Sequence, residues 1–452
     1  MKVVLIGYRG TGKSTIGRIL ADRLGLPFYD TDAMVEARAG RSVPVIFAEE
    51  GEGGFRALEC AVVADLADVD GVVATGGGAV LDPANVAALR RGGRVVLLEA
   101  DAETITERTR RSDRPPLTTL PPADEVAVLL ARRRPHYCAA ADFALSTAGL
   151  SPTEAAAAVL NLLKGCERDP RVMDGFRLPP DEANRLRSLN PATGLYGIAG
   201  HPCLHSRSPE LYTALFATYG IDAAYTFFDH PEFAEILRVA RALGVRGLSV
   251  TVPHKAAALA AADEADPHAQ AIGAANTLVF CGDEVRATNT DWTGVRRPLE
   301  DIGGGAGTAV VLGAGGAAAA AAYALLDLGC EVTVLTRDLE QAERLAGRFG
   351  CRAGKIKDFA GMTPPDVVVH ATPVGMGTDP RSLLSADDLD PATTVFDLVY
   401  TPQETPLLRA ADERGCRTIP GTEMFVYQAC EQFRHMTGIQ VRPETVREVL
   451  GL

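Results

Sequence analysis

Four apolar residues, Val3-Val4-Leu5-Ile6, run straight into Gly7-Tyr8-Arg9-Gly10-Thr11-Gly12-Lys13-Ser14. This is G-x-x-x-x-G-K-[ST] in the context the pattern requires, behind a strand and opening a helix. Its glycines let backbone N–H groups converge on phosphate oxygens, and the helix N-terminus adds a favourable dipole. Gly10, Thr11, Gly12, Lys13, Ser14 and Thr15 are therefore the expected nucleotide cradle, with Lys13 directed at the β/γ-phosphates and the Ser14 hydroxyl at Mg²⁺. Ile16, Ile19, Leu20 and Leu24 then recur at helical spacing up to Gly25, a C-cap. Apolar runs at 72–74 and 95–98 alternate with further helical segments. That alternation predicts an α/β fold with a parallel sheet covered on both faces.

Length and composition restrict the class. The 452 residues suggest roughly three domains. With 47% apolar and 23% charged residues, the mix is that of a globular chain. A net charge of −13 argues against nucleic acid or an anionic membrane as partner. The N-terminal apolar run is too short for a signal-peptide core. Residues 302–326 carry no charge but are broken by seven glycines, so a strand, a glycine turn and a buried alanine helix are expected rather than a membrane span. The nine cysteines form no C-x-x-C pair and are expected to be thiols in a reducing cytoplasm. Residues 166–193, rich in charge and proline, read as a linker. A second βα pattern begins after Tyr196, with apolar strands at 224–228, 248–252, 309–312 and 332–335.

The cradle specifies a nucleoside triphosphate but not an acceptor. Phe28-Tyr29-Asp30-Thr31-Asp32 is expected to end the second strand, placing two carboxylates on one face. One would serve the metal and the other an acceptor hydroxyl. Arg56 precedes Glu59 by one helical turn. Gly76-Gly77-Gly78 follows a strand, which suggests backbone approaching a ligand. Arg108, Arg110, Arg111 and Arg114, ahead of Pro115-Pro116, read as a basic lid, and Arg133 precedes Pro135 and Tyr137. Taken together, residues 1–165 resemble shikimate kinase. The resemblance implies that Asp30 supports the metal beside Ser14, and that Asp32 holds and activates the acceptor hydroxyl. It also implies that Arg56 and Arg133 grip the shikimate carboxylate, that Gly77 and Gly78 line the pocket, and that Arg114 closes over the transferred phosphate. The lid reads R-P-P-L where the family usually has R-P-L-L, which leaves an adenine contact by Arg108 open.

The second nucleotide signature is Val310-Val311-Leu312-Gly313-Ala314-Gly315-Gly316-Ala317-Ala318, a strand leading through a glycine turn into an alanine helix. The next strand ends in Thr336-Arg337-Asp338. Arg337 can meet a 2′-phosphate, which favours NADP, although Asp338 stands beside it. Upstream, Ser206 and Ser208 are spaced to bind a carboxylate together. Val250-Thr251-Val252-Pro253-His254-Lys255 is expected to end a strand in a lysine able to act as proton donor. Ala275-Asn276-Thr277 and Asn289-Thr290-Asp291 add an amide and a carboxylate.

Residues 194–452 resemble shikimate dehydrogenase through H-S-x-S-P, V-T-V-P-H-K, A-x-N-T, N-T-D, G-A-G-G, D-L-V-Y-T-P and G-T-E-M-F-x-x-Q-A. The resemblance implies that Lys255 and Asp291 are the catalytic pair. It implies that Ser206, Ser208, Thr251, Asn276 and Gln428 bind substrate, and that Tyr400 and Met424 edge the site. Gly313, Ala314, Gly315, Gly316, Ala317, Thr336 and Arg337 would hold NADP(H). His370 and Thr336 replace asparagines common in the family.

The expected layout is a P-loop kinase domain at 1–165, a linker at 166–193, a substrate lobe at 194–292 completed by 425–452, and a Rossmann lobe at 293–424. The two resemblances together imply a cytoplasmic bifunctional enzyme that uses NADPH, ATP and Mg²⁺ on 3-dehydroshikimate and shikimate, with chain order reversing reaction order. Quinate or gluconate as substrate, a non-catalytic half, and assembly into a homo-oligomer all stay open on the residues alone.

Overall fold

The computed structural model describes residues 1–110, 118, 120–164, 170–179, 181–189, 193–282 and 284–452. Strands β1 (Lys2–Ile6), β2 (Phe28–Asp30), β3 (Gly71–Ala74), β4 (Gly93–Glu99) and β5 (Phe143–Ser146) form a parallel sheet in the order β2-β3-β1-β4-β5. Every residue of β1 is buried, so both faces of the sheet are covered. On one face Ile16 and Leu20 of helix Lys13–Leu24, and Ala156 and Val159 of helix Pro152–Lys164, pack on Val3, Leu5 and Val72. The α/β arrangement expected from the alternation of apolar runs is the one observed.

One local expectation fails here. The chain does not stay extended through Asp32, because helix Thr31–Ala39 begins directly after β2. Asp30 caps that helix, its Oδ1 accepting from the N–H groups of Asp32 (3.1 Å) and Ala33 (3.4 Å). Satisfying those orphan donors is the usual role of an N-cap aspartate. The two carboxylates therefore leave a strand end and a helix start instead of sharing a strand face.

A second sheet contains β6 (Gly194–Gly200), β7 (Ala223–Asp229), β8 (Val245–Val250), β9 (Glu264–Ala265), β10 (Thr277–Cys281) and β11 (Glu284–Thr288), in the order β7-β6-β8-β10-β11-β9. A third contains β12 (Gly307–Leu312), β13 (Cys330–Thr336), β14 (Arg352–Lys355), β15 (Val367–His370), β16 (Thr394–Asp397) and β17 (Arg417–Ile419). Its order, β14-β13-β12-β15-β16-β17, is parallel throughout. Helix Gly316–Asp327 lies on this sheet with Ala318 to Ala322 and Ala324 all buried, since methyl side chains let helix and strands approach closely. Among the described residues no helix is long and apolar enough to cross a membrane.

The segment expected to be a linker holds structure of its own. It contains a 3₁₀ turn at Pro170–Met173 and helix Glu182–Ser188. Arg177 N–H donates to the Asp229 carbonyl (3.0 Å), and Phe176 stacks on His230 at 4.9 Å. A two-turn helix is too short to print a period on the sequence. The cysteine expectation is corrected as well: Cys138 and Cys281 form a disulfide, because the end of helix Pro122–Ala140 brings their Cα atoms to 5.4 Å.

The chain divides into two compact units. One is Met1–Thr251 with Leu278–Arg286 and Phe433–Gln440; the other is Val252–Thr277 with Ala287–Gln432 and Val441–Leu452.

Candidate active sites

In the first unit the cradle has the conformation its glycines permit. Gly10 (φ 84°) and Gly12 (φ 92°) are left-handed, a region costly for residues with a Cβ. Helix Lys13–Leu24 opens behind Gly12 with no side-chain cap on its first N–H groups. Lys13 Nζ donates to the carbonyls of Gly7 and Tyr8, each at 2.8 Å, which holds the ammonium inside the loop. Ser14 Oγ donates to Asp30 Oδ2 at 2.6 Å. A cavity of about 490 Å³ is lined by residues 9–16, Asp30, Asp32, Arg108 and Thr147. Arg108 donates to Thr147 Oγ1 (3.0 Å) and to its carbonyl (2.9 Å).

This donor set fits a triphosphate: uncapped N–H groups, an ammonium and no carboxylate inside the loop itself. Ser14 and Asp30 fit one Mg²⁺ that takes its remaining ligands from phosphate and water, as Mg²⁺ commonly does. Among the described residues no group of three His, Cys, Asp or Glu side chains is placed to hold a metal on its own.

A smaller cavity of about 70 Å³ is lined by Phe55, Arg56, Glu59, Gly76, Gly77, Gly78 and Arg133. Arg9, Asp32 and Gly77 line both cavities. Arg56 is fixed by Glu59 (2.6 Å) and Glu52 (3.0 Å). A Cβ on Gly78 would lie 2.3 Å from Arg56 Nη2, so a larger residue there would push the guanidinium aside. Arg133 donates to the Gly77 carbonyl (3.3 Å) and lies over the Tyr8 ring. Burial pushes the Glu59 carboxyl up, and the neighbouring Arg56 only partly offsets this. The expected residues Asp32, Arg56, Gly77, Gly78 and Arg133 thus converge. Arg111 and Arg114 lie outside the described residues. Glu59 and Thr147 were not singled out as site residues in the sequence; Glu59 had a signal in its spacing from Arg56, Thr147 had none.

The same unit holds Ser206 and Ser208. Ser206 Oγ donates to Ser208 Oγ (3.1 Å) and accepts from Ser208 N–H (3.2 Å), so the hydroxyls are adjacent as their spacing predicted. Thr251 follows β8 and donates its N–H to the Ala199 carbonyl (2.8 Å).

In the second unit Lys255 does not end a strand but opens helix Lys255–Ala260. Its Nζ meets Asp291 Oδ2 at 2.5 Å, with both side chains largely buried. Asp291 is itself held: Oδ1 accepts from Asn276 Nδ2 (2.8 Å), and its N–H donates to Asn289 Oδ1 (3.0 Å). Asn276 Nδ2 also reaches Thr290 Oγ1 (2.9 Å), and Gln432 Nε2 donates to the Asn276 carbonyl (2.9 Å). Thr290 Oγ1 donates to the Gln428 carbonyl (3.2 Å), which brings Gln428 to this network. Tyr400 stacks on Phe425 at 5.2 Å, one residue after Met424. Asn289 and Gln432, which bond to Asp291 and Asn276, were not singled out in the sequence, although Asn289 is part of the N-T-D run.

The glycine turn beside this network is also as expected. Gly313 (φ 123°) leaves no room for a Cβ, which would meet the Ala371 carbonyl at 2.8 Å. Ala314 and Gly315 complete the turn, and Gly315 precedes helix Gly316–Asp327 with no side-chain cap. A Cβ on Gly316 would stand 3.5 Å from Lys255 Cδ, so lysine and turn are neighbours. These uncapped N–H groups and the missing side chains fit a dinucleotide pyrophosphate. Arg337 is exposed beyond β13, while Asp338 turns to cap helix Leu339–Phe349 through Glu340 N–H (3.1 Å). Thr336 Oγ1 donates to the Asp338 carbonyl. His370 is buried between Asp397 (2.8 Å) and Thr372 (2.5 Å).

Fold and sites together define a P-loop phosphotransferase joined to a two-sheet nicotinamide dehydrogenase. Comparison with known proteins agrees. The sequence model described as "Shikimate kinase" matches residues 9–164. Those for the shikimate dehydrogenase substrate binding domain and the shikimate 5'-dehydrogenase C-terminal domain match 198–278 and 421–450. The shikimate dehydrogenase (NADP(+)) of Halobacterium salinarum is 41% identical over 261 residues, which are 57% of this chain and 98% of that protein. The crystal structure of Thermus thermophilus shikimate 5-dehydrogenase in complex with NADP(H) and shikimate is 35% identical with a TM-score of 0.53, covering 57% of this chain and 98% of its own. A quinate dehydrogenase from Corynebacterium glutamicum in complex with NAD is 32% identical with a TM-score of 0.54, covering 57% of this chain and 99% of its own. The chain belongs to the shikimate dehydrogenase family, and residues 9–164 form a shikimate kinase domain ahead of it. Both halves are enzymes.

Proposed function

We propose that this chain performs two successive steps on one cyclohexene acid: NADPH-dependent reduction of 3-dehydroshikimate to shikimate, and ATP-dependent phosphorylation of shikimate to shikimate 3-phosphate. One observation carries this reading. In each half a titratable side chain stands beside the expected nucleotide cradle: Asp32 lines both kinase cavities, and Lys255 adjoins the Gly316 turn. The proposed layout is a kinase domain at 1–165, a connector at 166–193, a substrate lobe at 194–292 completed by 425–452, and a Rossmann lobe at 293–424. Both nucleotides are supplied in the cytoplasm, where the reading places the enzyme.

When bound, ATP with Mg²⁺ supplies the phosphoryl group, and NADPH supplies the hydride. Ser14 and Asp30 hold the Mg²⁺, while Lys13 and the helix N-terminus neutralise phosphate charge. Arg56 and Arg133 grip the shikimate carboxylate, a task suited to guanidinium forks. Asp32 accepts the proton of the attacking hydroxyl, Gly77 and Gly78 give the ring room, and Arg114 completes the charge around the phosphate. In the other half Ser206, Ser208, Thr251, Asn276 and Gln428 bind the substrate carboxylate and hydroxyls, and Tyr400 edges the site. Lys255 delivers a proton to the ketone oxygen, and Asp291, anchored by Asn276 and Asn289, keeps the ammonium aimed. Arg337 meets the 2′-phosphate.

The relative that is a quinate dehydrogenase makes quinate the rival worth measuring. NADPH-oxidation assays with 3-dehydroshikimate and 3-dehydroquinate, and ADP-release assays with shikimate, quinate and gluconate, separate them. We expect the highest kcat/KM with 3-dehydroshikimate in reduction and with shikimate in phosphorylation. Faster turnover of the quinate or gluconate partners would overturn the substrate assignment while leaving both reaction types standing.

A further inference from the structure

We propose that the kinase domain and the β6–β8 sheet of the dehydrogenase are one cooperatively folded body, joined through a built interface centred on Asp142, and not two modules tethered by a connector. The inference is independent of which acid the enzyme uses.

Asp142 immediately precedes β5, the edge strand of the kinase sheet. Its backbone N–H donates to the Val95 carbonyl (2.7 Å), and its Oδ2 accepts from Val95 N–H (2.8 Å), which registers β5 against β4. The other oxygen is shared between the two halves of the chain. Oδ1 takes Arg90 Nη2 of the kinase domain at 3.2 Å and Arg246 Nη1 of β8 at 2.5 Å. The three side chains are 3%, 2% and 9% exposed. Arg246 also lies over the Phe143 ring at 5.4 Å, and Arg90 in turn interacts with Tyr196 of β6. Each half therefore sends an arginine to a group near the other's sheet.

The surroundings are close-packed and charged in complementary fashion. Arg134 of the kinase helix pairs with Glu99 in its own domain and with Glu284 at β11. Arg94 of β4 pairs with Asp222 ahead of β7. A Cβ on Gly438 would lie 3.0 Å from Val86 of the kinase domain, and Cys138 is bonded to Cys281. A carboxylate is taken out of water only where its partners are fixed, because an unpaired buried charge is severely unfavourable. Domains that merely share a flexible connector leave such groups hydrated, and their contacts are small and polar by default. Here the connector's described residues are themselves docked on β7, so nothing described between the two domains acts as a free tether.

The test is hydrogen exchange on the full chain in reducing buffer, so that the cysteine pair does not decide the outcome. In the wild type, peptides from β1–β5 and from β6–β8 should lose protection in one transition as denaturant rises. Arg246→Ala should speed exchange at residues 136–144 by at least about tenfold, since it strips one partner from a buried carboxylate, with both activities at 25 °C unchanged. Two separate transitions in the wild type would overturn the proposal whether or not the variant folds. So would unchanged exchange at 136–144 in a folded Arg246→Ala protein.

Discussion

Lys255→Ala is expected to lower NADPH-dependent reduction by a factor on the order of 10²–10⁴, the range spanned by a positioned general acid. The Lys255 ammonium is held at one point. It meets Asp291 at 2.5 Å beside the Gly316 turn, and alanine leaves no donor at that point. Asp291 remains tied by Asn276 and Asn289, so the carboxylate stays in place without a proton to pass on. The loss should fall on kcat more than on KM, because the lysine acts on the oxygen whose charge develops during the step. Phosphorylation should be untouched, since the residues assigned to it lie at 10–133. Initial rates of NADPH oxidation and ADP release on the same preparation check both halves. Reduction within threefold of wild type, or loss of both activities in folded protein, would contradict the role given to Lys255.

The converse holds for Lys13→Ala, expected to lower phosphorylation by a factor on the order of 10²–10³, the loss typical of removing one electrostatic stabiliser of a transition state. Lys13 holds two cradle carbonyls, those of Gly7 and Tyr8, at 2.8 Å. The substitution removes the cation and also loosens the loop that aims the N–H groups. ATP affinity should therefore fall together with kcat, whereas removing a purely catalytic charge would spare binding. Reduction of 3-dehydroshikimate should proceed at the wild-type rate. ADP-release kinetics against ATP concentration, with dehydrogenase activity as the folding control, measure this directly.

Both predictions come from residues legible in the sequence, because short-range chemistry writes itself in contiguous motifs. The cradle needs glycines at fixed spacing between a strand and a helix. The alanine helix after Gly316 needs small residues at every turn, and the structure buries them as expected. What stayed hidden depends on chain segments far apart. Nothing local to Cys138 points to Cys281, 143 residues away. Likewise Asp142 is an ordinary aspartate until Arg90 and Arg246 are placed around it. Two local readings failed for a different reason. Asp30 and Lys255 stand at junctions where strand gives way to helix, and apolar periodicity locates such boundaries poorly. At Asp30 the missed signal was its own side chain, whose preference for a helix N-cap ends β2 two residues early.

By the proposed function, one polypeptide binds the same acid at two independent places. Calorimetric titration of shikimate into the full chain, with NADPH and a non-hydrolysable ATP analogue plus Mg²⁺ present, measures it most directly. Two equivalents should bind per chain, falling to one when either acid grip is removed, by Arg56→Ala in the kinase half or by Ser206→Ala with Ser208→Ala in the dehydrogenase half. A single equivalent that persists through both substitutions, or none at all, would contradict it.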